Sequence, residues 1–373
     1  MSYRCLTIDG HFLARSRFEA GSLAGGFLST LLELQRDWSP RLTYVCWDSP
    51  TGSSPRRDAC PGYKAKREAP PMSFNLEVAE LQRALPLFGV TQFSSESGEA
   101  DDIIATIARS YPGPHLLWSA DKDLVQLVGP GVSLLRARPG GRENTRLIDA
   151  TNIRQAEVRI QGTPCSGLDA AGWLDLQTLA GDGCDSVKGV SGIGAKKGLR
   201  LLKSMPTVVR DILSGARQRP WDEGECPDGG VLKIANHVWH HRDELVTSRA
   251  LVQLYLVDLD DRPGAEDREA AHAWLLEHGM GWLANKWNGA AGPEGNGPGR
   301  SGTEGIGEDR SGPAGEEGSE PEGNGGDRSG KERPFEDLRG GGPHDPPLSP
   351  KQRRRWHVVR GSLVHLICLY FAP

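Results

Sequence analysis

The sequence predicts an α/β fold with a mainly parallel sheet, followed by a helical region and a disordered C-terminal tail. Three observations point there. YRCLTI (3–8), LTYVCW (42–47) and HLLWS (115–119) are short β-rich runs. Between them lie the helix-like segments SLAGGFLSTLLELQR (22–36), NLEVAELQRALPLF (75–88) and EADDIIATIARSY (99–111). Strands alternating with helices predict a parallel sheet covered on both faces. From Asn288 to Pro350 the chain turns to Gly, Pro, Ser, Glu and Arg, with almost no apolar residues. Such a segment cannot offset its ordering entropy by burial, so it is expected to be disordered. Of the 373 residues, 37% of them apolar, roughly 1–287 form the folded body.

Seven cysteines are scattered singly, at 5, 46, 60, 165, 184, 226 and 368. With no CxxC pair and an odd number, they argue against a disulfide framework or a zinc site and for a reducing cytoplasm. MSYRCLTIDG has no signal-peptide pattern. The closing SLVHLICLYFAP is apolar over about ten residues, too short to span a bilayer, and reads as a terminal extension. Following KQRRRWH, it has a membrane surface or a partner as its alternative contact.

The carboxylates carry the chemistry. Each of the three strand runs leads into acids: Asp9 after the first, Asp48 after the second, Asp121 and Asp123 after the third. Ligands of parallel sheets bind beyond the carboxyl ends of the strands. One aspartate there is ordinary, as a turn residue or helix cap; three strands doing it together are less so. SGEADDII adds Glu99, Asp101 and Asp102, an acidic first helical turn that the helix dipole would also favour. Glu99 and Asp102 share a helix face, and Asp182 and Asp185 repeat their i, i+3 spacing. Nine carboxylates brought together need cations. All-oxygen ligands select hard divalent ions, Mg²⁺ with Mn²⁺ as its substitute. Two such ions about 4 Å apart suit in-line attack on a phosphodiester.

The net charge of −5 looks wrong for a polyanion substrate. Residues from 289 on carry 11 basic and 13 acidic side chains, which leaves −3 on the body. With nine carboxylates neutralised by metal, the body becomes +6.

Two basic elements complete the pattern. Directly after Asp182 and Asp185 comes GVSGIGAKKG, a glycine hairpin between two helix-like segments. Its backbone N–H groups at Gly192 and Gly194, with Lys188, Lys196 and Lys197, suit phosphate without reading bases. Binding would be insensitive to sequence and sensitive to salt. The spacing is G-x-G-x-x-x-G, not a dinucleotide fingerprint, and Ala195 stands where a P-loop needs lysine. The second element, SPRRDACPGYKAKREAPP (54–71), holds Arg56, Arg57, Lys64, Lys66 and Arg67 around Tyr63. A solvated surface loop is the plain alternative. Its position after Asp48 suggests a mobile basic cover over the metal edge, with Tyr63 stacking on a base and Lys64 and Arg67 gripping the scissile phosphate.

These motifs resemble the 5′-nuclease family, which includes the 5′→3′ exonuclease domain of bacterial DNA polymerase I, stand-alone phage 5′ exonucleases and flap endonucleases. TIDGHFLA, WDSP, PGYKAKR, GEADDIIA, SADKDLVQL and LAGDGCDSVKGVSGIGAKKGLRLL occur in the family's order and cover about residues 3–260. The resemblance implies a PIN-like core at 1–165, with a basic arch at about 54–75. A helical DNA-binding region follows at 166–287, with a helix–hairpin–helix at about 178–203, and then the tail at 288–373. It also implies two Mg²⁺ ions and a K⁺ at the hairpin. Asp48, Glu99, Asp101 and Asp102 would lie towards the first metal, with Asp9 orienting waters near it. Asp123, Asp182 and Asp185 would lie towards the second, with Asp121 between. Lys64 and Arg67 match the arch residues that act on the scissile phosphate.

The implied partner is DNA, at 5′ flaps, 5′ ends and duplexes with a single-stranded 5′ branch, with replication partners through the tail. No membrane is implied, and a monomer suffices. A stand-alone enzyme in the cytoplasm of a bacterial or phage-infected cell fits better than one joined to a polymerase. The family's arginine seven residues after the first aspartate is here Ser16, flanked by Arg15 and Arg17. Gln177 replaces a lysine found in some phage members, and Cys184-Asp185-Ser186 stands for SDN. A PIN-like ribonuclease and a non-catalytic branched-DNA-binding protein remain the alternatives.

Overall fold

The computed structural model describes residues 2–137, 145–226 and 228–289. The tail from 290 on, and with it the expectation of disorder, lies outside the described residues. So do the whole closing segment and Cys368.

Among the described residues the main sheet has seven strands. Its centre is β1 (Cys5–Asp9), with β2 (Leu42–Cys46) and β3 (Thr91–Ser94) on one side and β4 (His115–Ser119) and β5 (Val132–Arg136) on the other. These five run parallel. The edges are antiparallel: β6 (Arg146–Ile148) on β5, and β9 (Asp260–Arg262) on β3. A mainly parallel sheet is therefore what forms. β7 (Val158–Ile160) and β8 (Thr163–Cys165) make a separate hairpin.

The central strands are buried along their length, as a sheet covered on both faces requires. Successive side chains point to opposite faces, and they feed two cores. Leu6, Ile8, Val45, Leu116 and Trp118 enter one. That core includes residues of α1 (Gly10–Glu19), α2 (Leu23–Trp38), α4 (Met72–Ala84), α11 (Arg268–Glu277) and α12 (Gly281–Gly289). Cys5, Tyr44, Cys46 and Leu117 enter the other, with α5 (Ala100–Ser110), α6 (Ala170–Ala180), α7 (Ala195–Ser204), α8 (Val208–Leu213) and α9 (Gly229–His240). Two further helices, α3 (Ser54–Ala59) and α10 (Arg242–Val252), meet each other near the sheet edge.

Local chemistry sets the boundaries. Asp9 ends β1 and caps α1 through the Phe12 N–H. Gly10 follows because a Cβ there would stand 2.8 Å from the Cys46 carbonyl. The helix expected over 75–88 instead runs over Met72–Ala84 and tightens to a 3₁₀ turn at Leu85–Phe88, since Pro86 has no N–H to continue the ladder. The contacts group Met1–Ala291 as one unit. Within it the chain returns late to the sheet: β9 pairs with β3 and α12 packs on α2. Six cysteines among the described residues are free. No helix among those residues is long and apolar enough to cross a membrane.

Candidate metal centre at the strand edge

The carboxyl ends of β1, β2 and β4 open into a cleft of about 1440 Å³. Asp9, Asp48, Glu99, Asp101, Asp121, Asp182 and Asp185 line it. Asp9 Oδ1 accepts from the Phe12 N–H at 3.0 Å, and Oδ2 accepts from the Ser119 hydroxyl at 2.9 Å. Asp48 reaches across to cap α5, accepting from the Ala100 N–H at 2.8 Å. Asp121 accepts from the Asp123 N–H at 2.8 Å. Asp182 and Asp185 follow α6 in a turn pinned by paired backbone bonds between Asp182 and Val187, each 2.8 Å.

The electrostatics divide the acids into two kinds. Burial, then the neighbouring Asp48 carboxylate, pushes Asp9 up to about 7. Burial, then Asp121, pushes Asp123 up to about 7. Asp101 is raised well above its ordinary value by burial and by Asp121, Asp9 and Asp123, and its Oδ1 is buried with no hydrogen-bond partner. Glu99 is the opposite case. Its burial is outweighed by Lys64 and Arg56, which hold it down at about 2.

A divalent cation fits this set. Charged oxygens crowded together and left short of donors call for a cation rather than more hydrogen bonds. Among the described residues, Asp123, Asp182 and Asp185 bring one carboxylate oxygen each within 4.8 Å of one another. Asp9, Asp48, Glu99 and Asp101 surround the neighbouring space.

The segment after Asp48 folds over this edge. Lys64 has a left-handed backbone, φ 52, and its N–H donates to the Asp185 carbonyl at 3.0 Å. Its ammonium lies 2.6 Å from Glu99 Oε1 and 3.7 Å from Asp185. Arg67 donates to Asp185 Oδ1 at 2.5 Å. Arg57 and Lys66 are exposed.

Three expectations are corrected. Asp102 does not face the cleft: it is fully buried, and both its oxygens accept from Arg56, at 2.6 and 2.8 Å. Its i, i+3 spacing from Glu99 is a cap, with the Glu99 N–H donating to Asp102 Oδ2 at 3.1 Å. Arg56 is no DNA contact, because the short helix α3 turns it inward. At 3% exposure it binds Asp102, Glu99 and the carbonyls of Leu251 and Gln253. Tyr63, also 3% exposed, gives its hydroxyl to Glu99 at 2.8 Å, so no base can stack on its ring. Composition marked this loop as basic; it did not show which cations point in.

The hairpin lies between α6 and α7. Gly181 and Gly189 are in the left-handed region, and a Cβ at Gly181 would stand 2.4 Å from the backbone of Val187 and Gly189. Gly192 is left-handed too, φ 77. At Gly194, a Cβ would meet only Gln161 at 3.7 Å, so nothing in the fold itself demands glycine there. The Ser191 N–H donates to Glu244 Oε2 at 2.6 Å, and His237 Nε2 lies 2.7 Å from the Ser191 carbonyl. Lys197 donates to the Gly192 carbonyl at 2.9 Å; Lys188 and Lys196 are exposed.

Some site residues went unread in the sequence. Lys122 donates to Asp182 Oδ2 at 2.5 Å, and Ser119 holds Asp9. Lys122 was in plain view inside SADKDL. Gln177, noted only as a departure, is buried and donates to Asp123 Oδ1 at 2.5 Å. Arg15 and Arg17 both line the cleft beside Ser16, held by Glu19 and Thr30.

Residues 5–158 match the family model described as the 5′-3′ exonuclease, N-terminal resolvase-like domain. The thermostable DNA polymerase I of Thermus caldophilus is 30% identical over 299 residues, covering 76% of this chain and 33% of that protein. The DNA polymerase I of Chloroflexus aurantiacus is 30% identical over 221 residues, covering 54% and 22%. The chain thus spans about a third or less of the length of these relatives. The structure of divalent metal ions (zinc) bound to T5 5′-exonuclease aligns with a TM-score of 0.50 at 20% identity, over 76% of this chain and 97% of that one, a likeness of fold. Strand edge, acid order and family match agree: residues 5–158 carry the 5′-3′ exonuclease domain, and the chain is similar to the 5′-nuclease family.

Proposed function

We propose that the chain hydrolyses DNA phosphodiesters at 5′ ends and at the junctions of 5′ flaps, as a 5′→3′ exonuclease and flap endonuclease working with two divalent ions. The observation that carries this is the gathering of eight carboxylates at one strand edge, with Asp101 Oδ1 short of any donor and Asp123, Asp182 and Asp185 within ligating reach of one another. Asp48, Glu99 and Asp101 would hold one Mg²⁺, with Asp9 ordering water beside it. Asp123, Asp182 and Asp185 would hold the other, with Asp121 between. When bound, the two ions would supply a lowered water pKa and charge neutralisation at the leaving oxygen. Lys64 lies at the first group and Arg67 at the second. A phosphodiester spanning both groups would therefore meet one cation of the cover at each end. Exposed Arg57 and Lys66 extend that positive surface.

The hairpin would grip the duplex behind the cut. Gly194, with no side chain of its own and only Gln161 near a Cβ there, would let a phosphate approach the backbone closely, and Lys188, Lys196 and Lys197 would add charge. For the K⁺ that the resemblance implies there, the carbonyls of Ser191 and Gly192 already hold His237 and Lys197; that ion would need both to let go, or other carbonyls. We assign 1–165 to catalysis and 166–287 mainly to DNA binding. The return of β9 and α12 ties the second part to the first. The enzyme would act as a monomer in the cytoplasm, with Mn²⁺ able to replace Mg²⁺.

The test is cleavage of a 5′-end-labelled flap duplex in Mg²⁺, against EDTA and against a matched single-stranded RNA. Metal-dependent release of short 5′ fragments from the flap, with RNA untouched, is the expected result. Preferential cutting of the RNA would move the chain to the ribonuclease reading. Tight flap binding without cleavage in Mg²⁺ or Mn²⁺ would leave a branch-binding protein.

A further inference from the structure

Both carboxylate groups already meet a lysine, Lys64 reaching Glu99 of the first from the cover. At the first, Asp101 keeps a buried oxygen without a partner. At the second, a lysine lies between the ligands. Lys122 sits in sequence between Asp121 and Asp123, so its backbone is fixed by the same strand end that delivers both acids. Its ammonium is 2.5 Å from Asp182 Oδ2 and 3.6 Å from Asp123 Oδ1, and its side chain is 19% exposed. Both contacted residues belong to the trio whose oxygens come within 4.8 Å of one another. Gln177 holds the same Asp123 oxygen at 2.5 Å, and the Cys184 N–H holds the other Asp182 oxygen at 3.0 Å.

We propose that Lys122 is a resident counter-cation of the second carboxylate group and holds down that group's affinity for divalent ions in the DNA-free enzyme. An ion shared by Asp123, Asp182 and Asp185 draws on two carboxylates that the ammonium already contacts. It must then sit beside a positive charge within a few ångströms, in a site screened little by solvent. Lys122 adds its charge to those of Arg67 and Lys64 at Asp185, and three carboxylates so balanced pull less on a divalent ion than they would without it. Loading of the second ion therefore depends on the ammonium being drawn off. A substrate phosphodiester entering the cleft offers the anion that can do this, so metal and DNA would each favour the other's binding. Lys122 lines that cleft.

This inference rests on the two-ion reading above, and its test separates the two. Mn²⁺ binding to the full chain would be followed by electron paramagnetic resonance without DNA, for wild type, Lys122→Met, Lys122→Gln, Lys122→Arg and Asp182→Asn. Both neutral variants should bind the weaker Mn²⁺ at least tenfold more tightly. Lys122→Arg should stay near wild type, and the Mg²⁺ concentration for half-maximal flap cleavage should fall in parallel in the neutral pair. If the neutral variants bind the weaker Mn²⁺ no better than wild type, or worse, the lysine merely orients Asp182 and the inference is overturned. If Asp182→Asn keeps both Mn²⁺ sites, the metal reading of this trio fails instead, whatever Lys122 does.

Discussion

On the proposed reading the carboxylate edge and the glycine hairpin take ligands of opposite sign, and each already holds a piece of the chain that resembles its ligand in charge. At the edge, Lys64, Lys122 and Arg67 lie on the acids. At the hairpin, the carboxylate of Glu244 lies on the Ser191 amide. The difference is burial. Glu99 and Asp182 have side chains 9% exposed, and Lys64 is 12% exposed. Charges so withdrawn from water must be paired or they destabilise the fold. Ser191 is exposed, and water could serve its amide as well as Glu244 does. A ligand arriving at the edge therefore replaces partners the fold depends on. A phosphate arriving at the hairpin replaces one it does not.

The largest effect should come from the edge. Asp182→Ala should lower flap cleavage by about 10³-fold or more, the scale of losing a preorganised charge at a reacting centre, while the Kd for flap DNA measured by fluorescence anisotropy in Ca²⁺ stays within a few-fold of wild type. Cleavage that survives the substitution would show that the trio is not where the chemistry happens.

Next is the buried pair behind the edge. Arg56→Met leaves Asp102 charged, fully buried and without its guanidinium, which should cost about 3–5 kcal/mol in urea unfolding. Replacing both, as Arg56→Met with Asp102→Leu, should recover much of that loss. Arg57→Ala, one residue away but exposed, should leave stability alone and weaken DNA binding. Equal stability of the Arg56 and Arg57 variants would restore Arg56 to the DNA-facing side.

The edge also has a pH signature. Asp9 and Asp123 are raised from 3.8 to about 7. The folded state thus binds more protons than the unfolded state between those values, and stability falls as pH rises through that window. Glu99 is lowered from 4.5 to about 2. Its contribution is present above 4.5 and is lost as pH falls towards 2. In EDTA the melting temperature should drop from pH 5 to pH 7.5, and Mg²⁺ should raise it more at 7.5 than at 5. A flat profile in EDTA would mean that the acids are not crowded enough to need a cation.

The comparison also explains what the sequence could show. Strand positions were legible because the central strands are buried on both faces and read as unbroken β-rich runs. Their acids were legible because the sheet edge follows directly from the strand ends. Asp102 was misassigned because a capping box and a ligand pair share the spacing i, i+3, and only packing separates them. Arg56 and Tyr63 failed for a related reason. A basic loop looks uniform in sequence, yet α3 turns one cation into the interior to meet Asp102, and Tyr63 fills the space beside Glu99. The partner of Arg56 at Leu251 lies 195 residues on, beyond any local pattern. Lys122 was missed because alternation of acid and lysine reads as a solvated turn until the two aspartates are placed in space.

The smallest effect belongs to the hairpin. If Glu244 merely stands in for phosphate at the Ser191 amide, Glu244→Ala should tighten flap binding by about two- to fivefold, in keeping with the small worth of exposed charged contacts. Glu244→Gln separates occupancy from charge. Its amide oxygen can still accept from Ser191, so tightening equal to that of the alanine variant would assign the effect to electrostatic repulsion of the DNA. Tightening in alanine alone would assign it to release of the amide. Stability should not change in either, because water can replace the lost acceptor. Binding weakened by both would invert the comparison. Glu244 would then be a brace that shapes the hairpin, and the phosphate would be held by the first turn of α7, where Gly194 leaves the helix without a side-chain cap.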